Sequence, residues 1–195
     1  MALPITDLPY RGHAPITWDT VTLKRVIDEL NALGAGGGDL AGRVVARNRR
    51  TSTKSGITGS SQGSATKILD TGPVVCSANR LYQVYSPGFG VYGTVGTVLR
   101  AQITYTTDGS TPGVTSTTLD MSQVSMLAGD NVSACNIGKL FGTVANTLTC
   151  RFLLSAYLIN PGGGASCAAY GANDWPNDLI VADVGVDPGA SGSVF

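Results

Sequence analysis

From residue 43 onward the chain repeats one local pattern: a short run of alternating apolar and polar residues, then a cluster of turn formers. In "LRAQITY" (99–105), Leu99, Ala101, Ile103 and Tyr105 share one face and Arg100, Gln102 and Thr104 the other. Alternation of this period specifies an extended strand with one buried face. "TLTCRFLLSA" (147–156) does the same, with Leu148, Cys150, Phe152, Leu154 and Ala156 inward and Thr147, Thr149, Arg151 and Ser155 outward; Leu153 departs from the pattern. Further strands are expected at 44–50, 67–69, 81–85, 91–95, 117–121 and 179–184. "SPGFG", "TDGSTPG", "LAGDN", "NPGGG" and "NDWPND" read as turns. About eight short strands with no helix-length periodic segment among them predict an all-β domain over residues 39–195, an antiparallel β-sandwich of jelly-roll type. Composition agrees: 26 glycines in 195 residues, a single glutamate (Glu29) and only 13% charged residues disfavour helix and favour strand and turn.

Residues 1–38 read differently. Pro4, Pro9 and Pro15 punctuate Leu3, Ile5, Leu8, Tyr10 and Ile16. Proline at this density resists helix and central strand, so an extended arm docked on another surface through those apolar residues is expected. Leu23, Val26, Ile27, Leu30 and Leu33 then recur at helical spacing, predicting one short helix over about 19–33. A helix this short needs its stripe buried, against its own domain or in a bundle with copies of itself. "GAGGGDLAG" (34–42) reads as a flexible joint.

Charge bears on partners. Residues 1–100 hold 11 Lys/Arg against 6 Asp/Glu, and residues 101–195 hold 2 against 7. The basic excess centres on Arg43, Arg47, Arg49, Arg50 and Lys54, with no aromatic between Trp18 and Tyr82 to stack a base, so nucleic acid is not the expected partner. A solvated strand face, or one docked on an acidic partner, is expected instead. The N-terminus lacks a basic leader and an apolar run, and no stretch reaches the length of a membrane span; a soluble chain made in a cytoplasm is the expectation. Cys76, Cys135, Cys150 and Cys167 form no Cys-x-x-Cys pair and are expected as buried thiols.

No catalytic set emerges. "GSSQG" (59–63) matches a nucleophile-elbow pattern at Ser61, but that motif needs a strand–helix setting and a following histidine, and His13 precedes it. The glycine clusters lack the features of a phosphate loop. Asp108, Asp120, Asp130, Asp174, Asp178, Asp183 and Asp187 form no calcium-loop spacing and read mainly as turn residues. The expectation is no enzyme, no metal and no cofactor. Aromatics in "YSPGFGVYG" (85–93) and "YGANDWPND" (170–178) make Tyr85, Phe89, Tyr92, Tyr170 and Trp175 the candidate ligand or host contacts, unless the rings cap the core.

Two resemblances follow from these segments. "ITYTTDGSTPGVTST" (103–117) resembles, over fifteen residues, the Tyr-Thr-x-Asp-Gly-Ser-x-Pro segment of chitobiase C-terminal-type β-sandwich modules. Its Asp-Gly turn and flanking alternation mark it as a structural hairpin rather than a sugar site. The order of arm, helix, glycine joint, "VVARNRRTSTKSGIT", "RLYQVY", "LRAQITYTTDGSTPGVTSTTL", "TLTCRFLLSAY" and "DLIVADVGVDPG" is similar to structural virion proteins of tailed bacteriophages, especially those of actinobacteria. That similarity implies a non-enzymatic, oligomeric virion part assembled in the host cytoplasm. A homotrimeric capsid-decoration or head-spike protein bound to the major capsid protein suits it best. The alternatives are a minor tail or tail-fibre protein bound to tail proteins, or an adhesin head that contacts a host-surface glycan.

Overall fold

A computed structural model describes residues 43–126, 132–143, 146–159 and 161–186. The expected arm (Leu3, Ile5, Leu8, Tyr10, Ile16), the helix stripe (Leu23, Val26, Ile27, Leu30, Leu33) and the glycine joint lie outside the described residues.

Among the described residues, regular structure consists of eleven strands and a 3-10 turn at Gln62–Ser64. The strands are β1 Arg43–Arg50, β2 Lys54–Ile57, β3 Thr66–Asp70, β4 Val74–Cys76, β5 Arg80–Gly93, β6 Val98–Thr106, β7 Thr117–Ser125, β8 Ser133–Gly142, β9 Leu148–Ile159, β10 Cys167–Ala169 and β11 Asn177–Val186. Their antiparallel pairs nest: β1 with β11, β2 with β10, β3 and β4 with β9, β5 with β8, β6 with β7. The described strands therefore form one long hairpin whose apex is the β6–β7 turn. Pairing of β11 and β10 with β5, and of β9 with β6, rolls that hairpin into two sheets.

Numbering the principal strands β1, β3, β5, β6, β7, β8, β9 and β11 as one to eight, the sheets read 1-8-3-6 and 2-7-4-5. This is the jelly-roll strand order. β2 and β10 extend the first sheet, and β4 sits beside β9 in the second. The inner faces enclose the core, with Tyr82, Val84, Phe89 and Leu179 from the first sheet against Leu99, Ile103, Phe152 and Leu154 from the second. Phe141 joins the sheets, edge-on to Tyr105 at 5.3 Å and to Phe152 at 5.6 Å between ring centroids.

Two strand-level expectations change. The segments 81–85 and 91–95 are parts of one strand, β5, and "SPGFG" is not a turn. The β5–β8 register slips between Ser86 and Phe89, where Gly88 has φ +59. A bulge tolerates proline and uses a left-handed glycine, so Pro87-Gly88 bends the strand without ending it.

The second change concerns the outer face of the second sheet, which is not solvated at its centre: Gln102, Thr104, Leu153 and Ser155 are all buried. The apex loop folds back over it. Gln102 Nε2 donates to Val114 O (2.8 Å) and to Ser155 Oγ (3.0 Å), and Thr104 Oγ1 donates to Gly113 O (3.0 Å). Pro112 is buried in the same loop. From the other side Gln62 Nε2 donates to Thr118 Oγ1 (3.1 Å).

Candidate contact surfaces

Pairing of β10 with β5 brings together the two aromatic segments singled out from the sequence. Ala168 lies opposite Tyr92, and the Tyr170 N–H donates to Gly90 O (2.9 Å). Tyr92 meets Tyr170 edge-on at 6.1 Å, and Tyr170 meets Trp175 edge-on at 6.4 Å. Glycine makes this possible: a Cβ at Gly90 would stand 3.2 Å from Val132, and 3.6 Å from both Tyr170 and Trp175 Nε1. Trp175 Nε1 donates to Gly88 O (3.0 Å), so the bulge is the indole's anchor. Asn177 completes the support, accepting from Gly90 N (3.2 Å) and donating to Tyr170 O (2.5 Å). Tyr92 remains 39% and Trp175 41% exposed. Among the described residues this cluster forms an exposed aromatic surface. Its rings are mutually tilted rather than coplanar, so it offers edges and one indole face, not a flat platform.

The other two candidates are not in it. Phe89 is fully buried in the core, because the bulge turns its ring inward. As a core residue it drops out of the contact set. Tyr85 is half-buried and lies opposite Gly138 on β8, on the outer face of the first sheet.

The basic residues of β1 are largely engaged within the chain. Arg47 and Arg49 each donate two hydrogen bonds to Asp178, whose side chain is only 8% exposed. Arg50 Nε donates to Ser52 O (2.8 Å). The strand face stays solvated at this sheet edge, with Arg47 and Arg49 44% and 45% exposed, while both guanidinium groups pair with Asp178 on the neighbouring β11. Its spacing was legible, but its acidic partner, 131 residues from Arg47 in sequence, was not.

The carboxylates disperse in the same way. Asp108 Oδ1 accepts from Ser110 N (3.0 Å) and Ser110 Oγ (2.6 Å), and the hydroxyl and then the amide hold its carboxyl below the ordinary value. This is a turn built by an aspartate side chain. Asp70 pairs with Arg151 through two bonds (2.8 and 2.7 Å) and accepts from Gly72 N. Asp183 pairs with Arg80 at 2.8 Å, both side chains 8% exposed. Among the described residues no three His, Cys, Asp or Glu side chains gather as a metal site.

All four cysteines are buried free thiols. Cys135 and Cys150 stand on different sheets. Cys150 instead lies against Cys76 as a hydrogen-bonded thiol pair, which, followed by burial, pushes the Cys76 thiol up. Ser61 caps the exposed 3-10 turn and bonds Ser64, as a surface-loop residue.

No known protein family matches the chain, and no curated protein matches it. Solved structures that it is similar to include T=1 particles derived from infectious bursal virus (18% identity, TM-score 0.40, covering 78% of this chain and 37% of that one). They also include the Gt strain of infectious bursal disease virus (14% identity, TM-score 0.35, covering 78% and 38%) and its T13 viral particle (15%, TM-score 0.33, covering 76% and 37%). The chain spans well under half the length of those chains. At these scores the likeness carries no inference about this chain's function.

Proposed function

We propose that this chain is a non-enzymatic structural component of a phage virion. In this reading it is a homotrimeric capsid-decoration or head-spike protein. Residues 1–38 hold it to the major capsid protein, and the β-domain projects outward. The observation that carries the reading is the jelly-roll order of the two sheets, an architecture used by capsid and lectin domains. The interior is filled by Tyr82, Phe89, Phe141 and Phe152, which leaves edges, loops and outer faces as the functional surfaces. A filled sandwich presenting outer surfaces suits an assembly part. Deleting residues 1–38 is expected to abolish incorporation into particles while leaving a folded β-domain, checked by particle sedimentation and circular dichroism. Normal incorporation of that deletion would overturn the anchoring.

A second reading, an adhesin head on a minor tail or fibre protein, is favoured by the exposed Tyr92–Tyr170–Trp175 cluster. Trp175→Ala should then weaken binding to host cells or a glycan panel without unfolding the domain. Unchanged binding would remove it.

A further inference from the structure

The outer face of the first sheet carries a cleft of about 260 Å³ at its β8 edge, away from the aromatic cluster. Gly138 forms its floor. Tyr85 lies directly opposite, and a Cβ at residue 138 would fall within 2.7 Å of Tyr85 Cα and 2.8 Å of Val84 O. Glycine therefore lets the Tyr85 side chain lie across β8 as one wall. Gln83 and Pro87 extend that wall, and Asn136 and Asp120 face it.

The polar groups here are oriented but only half used. Asp120 Oδ2 accepts from the Gly138 N–H (2.8 Å), leaving Oδ1 as an aimed acceptor. Asn136 Oδ1 accepts from the Gly88 N–H (2.8 Å), leaving its amide NH2 as an aimed donor. Backbone amides of two glycines thus fix both side chains before any ligand arrives.

The geometry points to this cleft as a binding site for one neutral sugar ring, a hexose or N-acetylhexosamine. A carboxylate acceptor, an amide donor and a phenol ring match the alternating hydroxyls and apolar face of such a ring. No Lys, Arg or His lines the cleft, so an anionic ligand would meet only Asp120. A single carboxylate supplies too few hard oxygens for calcium. The volume falls just below the range of about 300–1,000 Å³ usual for drug-sized ligands, which suits one ring rather than an oligosaccharide. The site extends the adhesin reading to a different place on the domain, so either can fail alone.

The test is amide-shift mapping of the full ¹⁵N-labelled chain, titrated separately with glucose, galactose, mannose, N-acetylglucosamine and inorganic phosphate to tens of millimolar. At least one sugar should move the Ser86, Gly88, Asn136 and Gly138 amides and phosphate should not. Asp120→Asn and the surface variant Gln83→Ala should each weaken the response several-fold. Shifts confined to Tyr92, Tyr170 and Trp175 would overturn the cleft while sparing the adhesin reading. A response to phosphate alone, or to no probe, would also overturn it. Should Asp120→Asn unfold, Gln83→Ala, whose side chain holds no other part of the fold, decides the case.

Discussion

The apex loop is held over the second sheet by Gln102, and replacing Gln102 with leucine isolates that clamp. Leucine fits a similar volume, so the chief losses are the bonds to Val114 O and Ser155 Oγ. Each is worth about 1 kcal/mol net, and leaving the buried Ser155 hydroxyl without its donor adds about 1 kcal/mol more. Gln102 Oε1 is itself buried without a partner, so removing it returns about 1 kcal/mol. The balance is a destabilisation of about 2 kcal/mol. For a domain of this size that lowers Tm by about 4–8 °C. Urea denaturation should show a lower midpoint at unchanged slope, and amide exchange at Ser116, which donates to Gly113 O, should quicken. Thr104→Val removes one bond to the same loop and should cost about 1 kcal/mol. The double variant should cost less than the sum, because a loop already released has less to lose. A neutral or stabilising Gln102→Leu, or strict additivity with Thr104→Val, would refute the clamp.

Other outcomes follow from the same contacts. Phe152→Ala empties the junction between Phe141 and Tyr105 and should cost about 3–5 kcal/mol by thermal denaturation. Gly138→Ala forces a Cβ against Tyr85 and the Val84 carbonyl and should cost about 1–3 kcal/mol by urea midpoint. Burial pushes the Asp70 carboxyl up, but the Arg151 bond, the Gly72 amide and the Arg151 charge together hold it below its ordinary 3.8. Its stabilisation is complete above that ordinary value and fades as pH falls through the lower folded one. With both partners partly exposed it is worth under about 1 kcal/mol, so Asp70→Asn should lower stability slightly at neutral pH and remove that part of the acid loss.

Much of the fold was legible because burial of one face leaves a period of two. β1, β3, β6, β7, β9 and β11 stood where alternation or β-branched runs placed them. β8 was missed although Cys135, Ile137 and Phe141 alternate inward, because Gly138 and Lys139 interrupt a run already weak in apolar residues. β2, β4 and β10, three or four residues each, are too short for periodicity to register. The outer face of β6 was misjudged because its cover comes from a loop that returns only after the turn, which local pattern does not encode.

The placement of the candidate aromatics was legible only in part, for a related reason. Aromatics in turn-rich segments marked Tyr92, Tyr170 and Trp175, which the β5–β10 pairing brings together. The same cue marked Phe89, and a one-residue bulge reversed the direction of its ring. Of the cleft at Gly138 only Tyr85 was marked, since its residues come from β5, β7 and β8 and meet only through the roll.

The central claim is that strands β1 to β11 form a rolled, nested hairpin with jelly-roll strand order. Long-range backbone NOEs along β5 test it most directly. The account predicts Val84 contacts to Val181 on β11 and to Lys139 on β8, with Ala101 on β6 contacting Ala156 on β9. Pairing of β5 with its chain neighbour β6 as a simple meander, in place of β8 and β11, would contradict it.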